Sequence, residues 1–204
     1  MGVDIVSVTG EEQERKKLKE RLGAGACYDS TAAPARDLLW ARRGTAYFAR
    51  KLNELSDADL DAPSCVVGWN RRHVVAHVGY HARHLARLVE AARRGVSVEM
   101  LQEPESQNEN IEFGGTLPPH ALRYLFEHSK VHLNVEWRDL DAAGWAGEII
   151  ALTRDIVPIK RTPWLRAREI WLRAIDLNNG GTLADLPSDL LKGISAYSQD
   201  TLKS

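Results

Sequence analysis

The stretch NRRHVVAHVGYHARHLARLVEAARR, residues 70–94, decides the fold class of this chain. Its apolar residues recur at spacings of three and four, the period of an α-helix that turns one face towards a core. Asn70 is suited to cap the start of such a helix, and Gly95 follows as a helix stop. The stretch therefore predicts a long amphipathic helix that ends near Arg94.

Three more segments carry the same period, so an all-α fold is predicted. They run from Leu38 to about Leu55, from Pro119 to about Trp137, and from Thr162 to the Asn178–Gly181 segment. Pro187 starts a last short helix, and GEIIALTRDIVP, residues 147–158, fits one small β-hairpin. Four long helices predict an up-and-down four-helix bundle. The polar connection over residues 95–117 is long for a bundle, and we expect it to cover the mouth of a pocket.

The first 33 residues differ from the rest of the chain. EEQERKKLKER, residues 11–21, is a charged, helix-prone run without an apolar face, and Gly23, Gly25 and Pro34 follow it. We therefore expect residues 1–33 to form an N-terminal appendage that is partly helical or disordered. Residues 34–204 are predicted to form the bundle domain with its short C-terminal helix.

The composition argues against several classes of protein. A formal net charge of −1 and a sequence pI near 6.7 provide no basic surface for nucleic acid or an anionic membrane. No stretch approaches the roughly 18 apolar residues of a membrane-spanning helix. Cys27 and Cys65 are too few for a disulfide framework, which favours a reducing compartment. We expect a cytoplasmic monomer or homodimer that binds a small molecule.

Histidines recur along one face of the helix over residues 70–94, at i, i+4, i+8 and i+11: His73, His77, His81 and His84. Apolar residues flank this face, so His77 and His81 are predicted to point inward. An unpaired buried imidazole is costly, so each of these two is either hydrogen-bonded locally or bound to a ligand. His128 and His132 form another i, i+4 pair, which we expect to serve packing or to lie at the surface.

The last long helix pairs a carboxylate with a cation one turn apart, in RAREIWLRAIDL, residues 166–177. Glu169, Arg173 and Asp176 share one side of this helix, and Trp171 lies on the neighbouring side. Two interpretations are open. Glu169 and Arg173 form an exposed intrahelical ion pair worth about 0.2–0.5 kcal/mol, or Glu169 faces the bundle interior and must meet a cation, a metal or hydrogen-bond donors there.

Four segments, in order, resemble the mycothiol-dependent maleylpyruvate isomerase family: GWNRRHVVAHVGY (68–80), NENIEFGGTL (108–117), LFEHSKVHLNVEW (125–137) and RAREIWLRAIDL (166–177). The resemblance spans about residues 35–190, the metal-binding N-terminal domain of that family. It implies the DinB-like four-helix bundle. It also implies a divalent metal, usually zinc, held by a histidine of the second helix and an E-x-x-x-H pair of the fourth, with a low-molecular-weight thiol bound nearby.

Carried over residue by residue, this resemblance places two metal ligands at His77 and Glu169 and the third at Arg173. A guanidinium has no lone pair to give, so Arg173 cannot coordinate. Three possibilities compete. His81 replaces the missing ligand, or Arg173 neutralises Glu169 and leaves a metal-free pocket for an anionic substrate, or the chain only binds a ligand. We favour the second possibility.

Three functions follow from these possibilities. The resemblance implies a thiol-dependent isomerase or S-transferase that uses mycothiol or another low-molecular-weight thiol. The alternatives are a metal-free isomerase or cyclase in the same pocket, and a non-enzymatic small-molecule binding module. The predicted catalytic residues are His77, His81, Glu169 and Arg173. The residues predicted to line or close the pocket and bind the cofactor are Tyr80, Trp171 and Asn108.

Overall fold

The computed structural model describes residues 5–23, 28–94, 107–150 and 156–201. The α-helices in these ranges are α1 Ile5–Leu22, α2 Ala35–Asn53, α3 Arg71–Arg94, α4 Gln107–Thr116, α5 Pro119–Asp139, α6 Ala142–Trp145, α7 Thr162–Asp176 and α8 Ser188–Thr201. The strands β1 Glu148–Ile150 and β2 Ile156–Pro158 form an antiparallel pair with Ile149 opposite Val157. Cys27, the hairpin turn and the predicted stop at Gly95 lie outside the described residues.

Helices α2, α3, α5 and α7 form a four-helix bundle in which α3 packs along α5 and α2 packs along α7. Each helix contributes a fully buried apolar side chain to one core: Phe48, Val78, Phe126 and Ile170. Burial of such a side chain stabilises the fold by about 1.5–3 kcal/mol. The predicted all-α four-helix bundle with one small hairpin is therefore confirmed. Within the described ranges, no helix is long and apolar enough to cross a membrane.

Hydrogen bonds join the start of α3 to the end of α7 and hold these two helices side by side. Asn70 caps α3 as predicted, because its Oδ1 accepts a hydrogen bond from the His73 backbone N–H at 3.2 Å. Arg71 donates from Nε to the Leu177 carbonyl and from Nη2 to the Asn178 carbonyl, both at 2.7 Å. These two carbonyls follow α7 and have no helical partners, so Arg71 satisfies them and sets the position of α3 against α7.

Helix α4 lies where a loop was expected from the sequence. Its two glycines lower its intrinsic helix propensity, but they allow α4 to approach α3 closely. A Cβ at Gly114 would lie 2.5 Å from the Cβ of Ala76, and one at Gly115 would lie 2.8 Å from Nε2 of His73. Ile111 of α4 is buried as well. The tertiary contact with α3 therefore outweighs the local preference.

The segment before the bundle forms helix α1, in agreement with its helix-prone sequence. Arg15 holds it to the rest of the chain. The Arg15 Nε donates to the Tyr28 carbonyl at 3.0 Å, and Nη2 donates to the carbonyls of Arg138 at 2.9 Å and Leu140 at 3.2 Å. The division of the chain into an appendage and a bundle domain at residue 34 stays a prediction.

Candidate functional site

The polar centre of the molecule is a hydrogen-bonded pair between α3 and α7. Nε2 of His77 lies 2.7 Å from Oε1 of Glu169, and the same oxygen accepts a hydrogen bond from Nε of Arg173 at 2.7 Å. Only 13% of the Glu169 side chain is exposed. The carboxylate therefore faces the partner helix, which decides between the two interpretations of the Glu169–Arg173 pair in favour of the interior site.

Arg173 lies between two carboxylates of its own helix. Its Nη1 donates to Oδ2 of Asp176 at 2.5 Å, one turn from the contact with Glu169. The guanidinium also lies over the indole of Trp69, with 5.8 Å between Cζ and the ring centroid, so a cation–π contact supports it. The side chain is 24% exposed, and no described residue hydrogen-bonds to Nη2. Arg173 thus keeps one donor group available to an anion.

The surroundings of Glu169 and Arg173 keep both side chains charged. Burial alone would raise the pKa of Glu169, but the hydrogen bond from His77 and the neighbouring cationic groups outweigh burial and lower that pKa well below its ordinary value. Burial also opposes the charge of Arg173, yet Glu169 and Asp176 together raise the Arg173 pKa. At neutral pH, therefore, Glu169 is a carboxylate and Arg173 is a cation.

A second arginine, Arg166, lies in the core behind His81. It is 1% exposed, donates from Nη1 to the Val78 carbonyl at 2.8 Å, and brings the same nitrogen 3.3 Å from Nδ1 of His81. Burial, and to a smaller extent the charge of Arg166, lowers the pKa of His81 to about 3, so His81 is neutral. A guanidinium can only donate, so Nδ1 of His81 is assigned as the acceptor and Nε2 carries the proton.

The residues present do not fit the divalent metal that the family resemblance implies. A catalytic zinc site takes three protein ligands. Here His77 and Glu169 bond to each other, and the cation Arg173 lies where the resemblance implies the third ligand. In the part of the chain that the structure describes, the donor atoms of His77, His81 and Glu169 do not come within 4.8 Å of one another as a set. His81 would also need to move its proton to Nδ1, where it would face the N–H of Arg166.

The predicted pocket residues are distributed differently from the predicted catalytic ones. His77, Glu169 and Arg173 form one connected group, and the His81 ring lies nearly parallel to His77 at a centroid distance of 6.2 Å. Tyr80 is partly buried and packs against Gly114 of α4. Asn108 belongs to α4, but its side chain lies outside the described residues.

Trp171 makes its contacts on the opposite side of α7, towards α2. Its indole Nε1 donates to the Trp40 carbonyl at 3.0 Å, and its ring stacks on Tyr47 at a centroid distance of 4.9 Å. Trp171 is therefore a core residue that joins α7 to α2. Its proposed place in the pocket stays a prediction.

Trp69 and Arg166 are parts of the site that were not predicted. The Trp69 ring lies 5.6 Å from the His77 ring and 6.3 Å from the His73 ring, centroid to centroid. The sequence signal for Trp69 was its position directly before the helix cap Asn70, because a residue there lies at the N-terminus of α3, near His73 and His77. Arg166 precedes Glu169 by three positions and so shares its helix face, which was the signal for its contact with His81.

The comparisons with known proteins bear on the same helices. The family model of the mycothiol maleylpyruvate isomerase N-terminal domain matches residues 41–178. This chain belongs to that family. The matched range contains His77, Glu169 and Arg173, so the site lies within the part of the chain that defines its membership in the maleylpyruvate isomerase family.

Two solved structures are also similar to this chain. One is the crystal structure of the mycothiol-dependent maleylpyruvate isomerase, with 37% sequence identity and a TM-score of 0.74, covering 79% of this chain and 67% of that chain. The other is a histidine-to-alanine mutant of the mycothiol-dependent maleylpyruvate isomerase, with 36% identity and the same TM-score and coverage. No curated protein matches the chain significantly.

Proposed function

We propose that this chain is a thiol-dependent isomerase or S-transferase of the maleylpyruvate isomerase family that uses His77 as a base in place of a metal. The observation that supports the proposal is the 2.7 Å contact between Nε2 of His77 and Oε1 of Glu169. The carboxylate fixes the proton on Nε2, so Nδ1 carries the lone pair. No described residue hydrogen-bonds to Nδ1. An imidazole oriented in this way is suited to general base catalysis.

The substrate class follows from the name of the solved relatives. Maleylpyruvate, on which they act, is an anionic cis-alkene conjugated to a carbonyl, and we propose the same class here. A bound thiol supplies the sulfur nucleophile, whose reversible addition permits rotation about the former double bond. His77 accepts the S–H proton at Nδ1, is held beside Glu169 as an imidazolium, and returns the proton when the thiol is released.

Arg173 has two roles in this proposal. It neutralises the charge of Glu169, the carboxylate that orients His77. Its Nη2 group, to which no described residue hydrogen-bonds, binds a carboxylate of the substrate, because a guanidinium carries the charge and the N–H donors that a carboxylate accepts. The cation thus fixes the orientation of the substrate beside the base.

The test is conversion of maleylpyruvate by the purified chain in the presence of mycothiol, before and after exhaustive treatment with chelator. We expect activity that requires the thiol and survives the chelator. His77→Gln should lower kcat by about 10²–10⁴-fold, the contribution of a general base, and Arg173→Gln should raise KM more than Arg173→Lys. His128→Gln, an exposed change on α5, serves as the matched control and should retain full activity.

Two results would overturn the mechanism, and a third measurement identifies the reaction type. Activity that disappears with chelator and returns with one equivalent of zinc would overturn the metal-free mechanism. Equal activity of wild type and His77→Gln would overturn the assignment of the base. Recovery of the thiol after turnover identifies an isomerase, whereas its stoichiometric consumption identifies an S-transferase.

A further inference from the structure

A second group of potential ligands lies on α3 and α5, away from the His77 site. One carboxylate oxygen each of Glu90 and Glu136 and one ring nitrogen of His132 lie within 4.8 Å of one another. Glu90 follows His77 by thirteen positions on α3 (90 − 77), a distance of about 20 Å along the helix axis. The two sites are therefore separate places on the bundle.

We propose that Glu90, His132 and Glu136 bind a divalent first-row transition metal ion. One imidazole and two carboxylates form a mixed nitrogen and oxygen donor set, which suits Zn²⁺, Mn²⁺ or Fe²⁺. Mg²⁺ prefers oxygen ligands and retains its water, so it is disfavoured. Three protein ligands leave further positions for water, and the ion links α3 to α5.

The spacing of the donors is close to what a metal requires. Ligand atoms about 2.1 Å from a tetrahedral zinc lie about 3.4 Å from each other. Nε2 of His132 and Oε1 of Glu136, one turn apart on α5, are already 3.6 Å apart. Glu90 comes from α3, which packs closely along α5. Closing a remaining gap of at most about 1.4 Å (4.8 − 3.4) requires only side-chain rotation.

The buried carboxylate of Glu136 is already paired with a cation, which a metal ion would have to replace. Glu136 is 6% exposed, and a buried carboxylate is costly unless it meets a positive charge. In this structure Arg93 supplies that charge, with 3.1 Å from its Nε to Oε2 of Glu136, and Arg94 pairs with Glu90 at 2.5 Å. Both arginines are exposed, so each can turn into solvent at small cost when the metal enters. The arginines therefore compete with the metal for the two carboxylates.

The test is calorimetric titration of the full-length, chelator-stripped chain with Zn²⁺, and with Mg²⁺ in parallel. We expect one equivalent of bound Zn²⁺ and no comparable Mg²⁺ binding. His132→Gln and Glu90→Gln, both at partly exposed positions, should each weaken zinc binding at least 10-fold, as expected for loss of a ligand. His128→Gln, one turn from His132 and outside the donor set, is the matched control and should bind like wild type.

Two more variants distinguish a metal site from a purely structural cluster and from zinc binding at His77. Arg93→Gln should bind Zn²⁺ more tightly than wild type, because the metal no longer displaces a guanidinium, and a purely structural cluster would not show this. His77→Gln should leave zinc binding unchanged. No binding by wild type, unchanged binding by His132→Gln, or Mg²⁺ binding as tight as Zn²⁺ would overturn the proposal. Loss of zinc in His77→Gln alone would also overturn it and would place the metal at the first site.

Discussion

Replacement of Arg173 by methionine removes the cation that neutralises Glu169 while keeping an unbranched side chain of similar length. Glu169 then retains His77 as its one described hydrogen-bond partner, at a position where 13% of its side chain is exposed. Because a carboxylate in such a place is poorly hydrated, the loss of its cation should lower the free energy of unfolding.

The size of this effect follows from the geometry. Two unit charges about 4 Å apart attract by about 4 kcal/mol at an effective dielectric constant near 20. Removal of one partner from a buried pair costs about 3–5 kcal/mol, whereas exposed pairs contribute about 0.2–1 kcal/mol. Arg173 is 24% exposed and is shared with Asp176. We therefore expect a coupling between Glu169 and Arg173 of about 2 kcal/mol, between these limits.

A double-mutant cycle measures this coupling directly. It compares urea denaturation of wild type, Glu169→Gln, Arg173→Met and the double variant. The control is the same cycle on Glu14 and Lys17 of α1, an i, i+3 pair with a 3.0 Å contact whose side chains are 75% and 69% exposed. Its coupling should stay below about 0.5 kcal/mol. A Glu169–Arg173 coupling as small as that of the control would refute the interior ion pair.

Two further predictions concern the packing and the pH dependence of the bundle. Gly114→Ala should destabilise the chain by about 1–3 kcal/mol, because the new Cβ meets Ala76 at 2.5 Å and Tyr80 at 2.9 Å. The control is Gly10→Ala, which has open space around the new Cβ and should not destabilise the chain. Thermal unfolding measures both effects. Burial lowers the pKa of His84 below its value in the unfolded chain, so the unfolded state binds more protons and stability should decrease as pH falls below about 6.5. His84→Gln should reduce that slope, and an unchanged slope in acid denaturation would contradict this cause.

The long helices could be predicted because each carries its own amphipathic period and its own end signals. Asn70 and Arg71 show both the reach and the limit of such signals: the cap was recognisable, but the bonds from Arg71 to the end of α7 were not. Helix α4 was missed because Gly114 and Gly115 argue locally for a loop. These glycines permit close contact between α4 and α3. Such a contact depends on both helices and cannot be inferred from the sequence of either one alone.

The candidate site was likewise only partly predictable from the sequence. The spacing of Glu169 and Arg173 on one helix predicted their contact, and the resemblance identified His77 as the partner from another helix. Arg166 was not predicted, because its burial depends on the Val78 carbonyl and the His81 ring on a helix far away in the sequence. The cluster of Glu90, His132 and Glu136 likewise requires the packing of α3 on α5, so from the sequence His132 was expected only to serve packing or to lie at the surface.

The central proposal is that Arg173, at the position where the resemblance implies a metal ligand, keeps a metal from His77 and Glu169. The most direct measurement is the zinc stoichiometry of two proteins, His132→Gln and the same protein carrying Arg173→His as well. The first lacks the second proposed site and should bind no zinc, whereas the second should bind one equivalent, because an imidazole supplies the third ligand. Zinc bound by the His132→Gln single variant would contradict the proposal if that zinc is lost when His77→Gln is added.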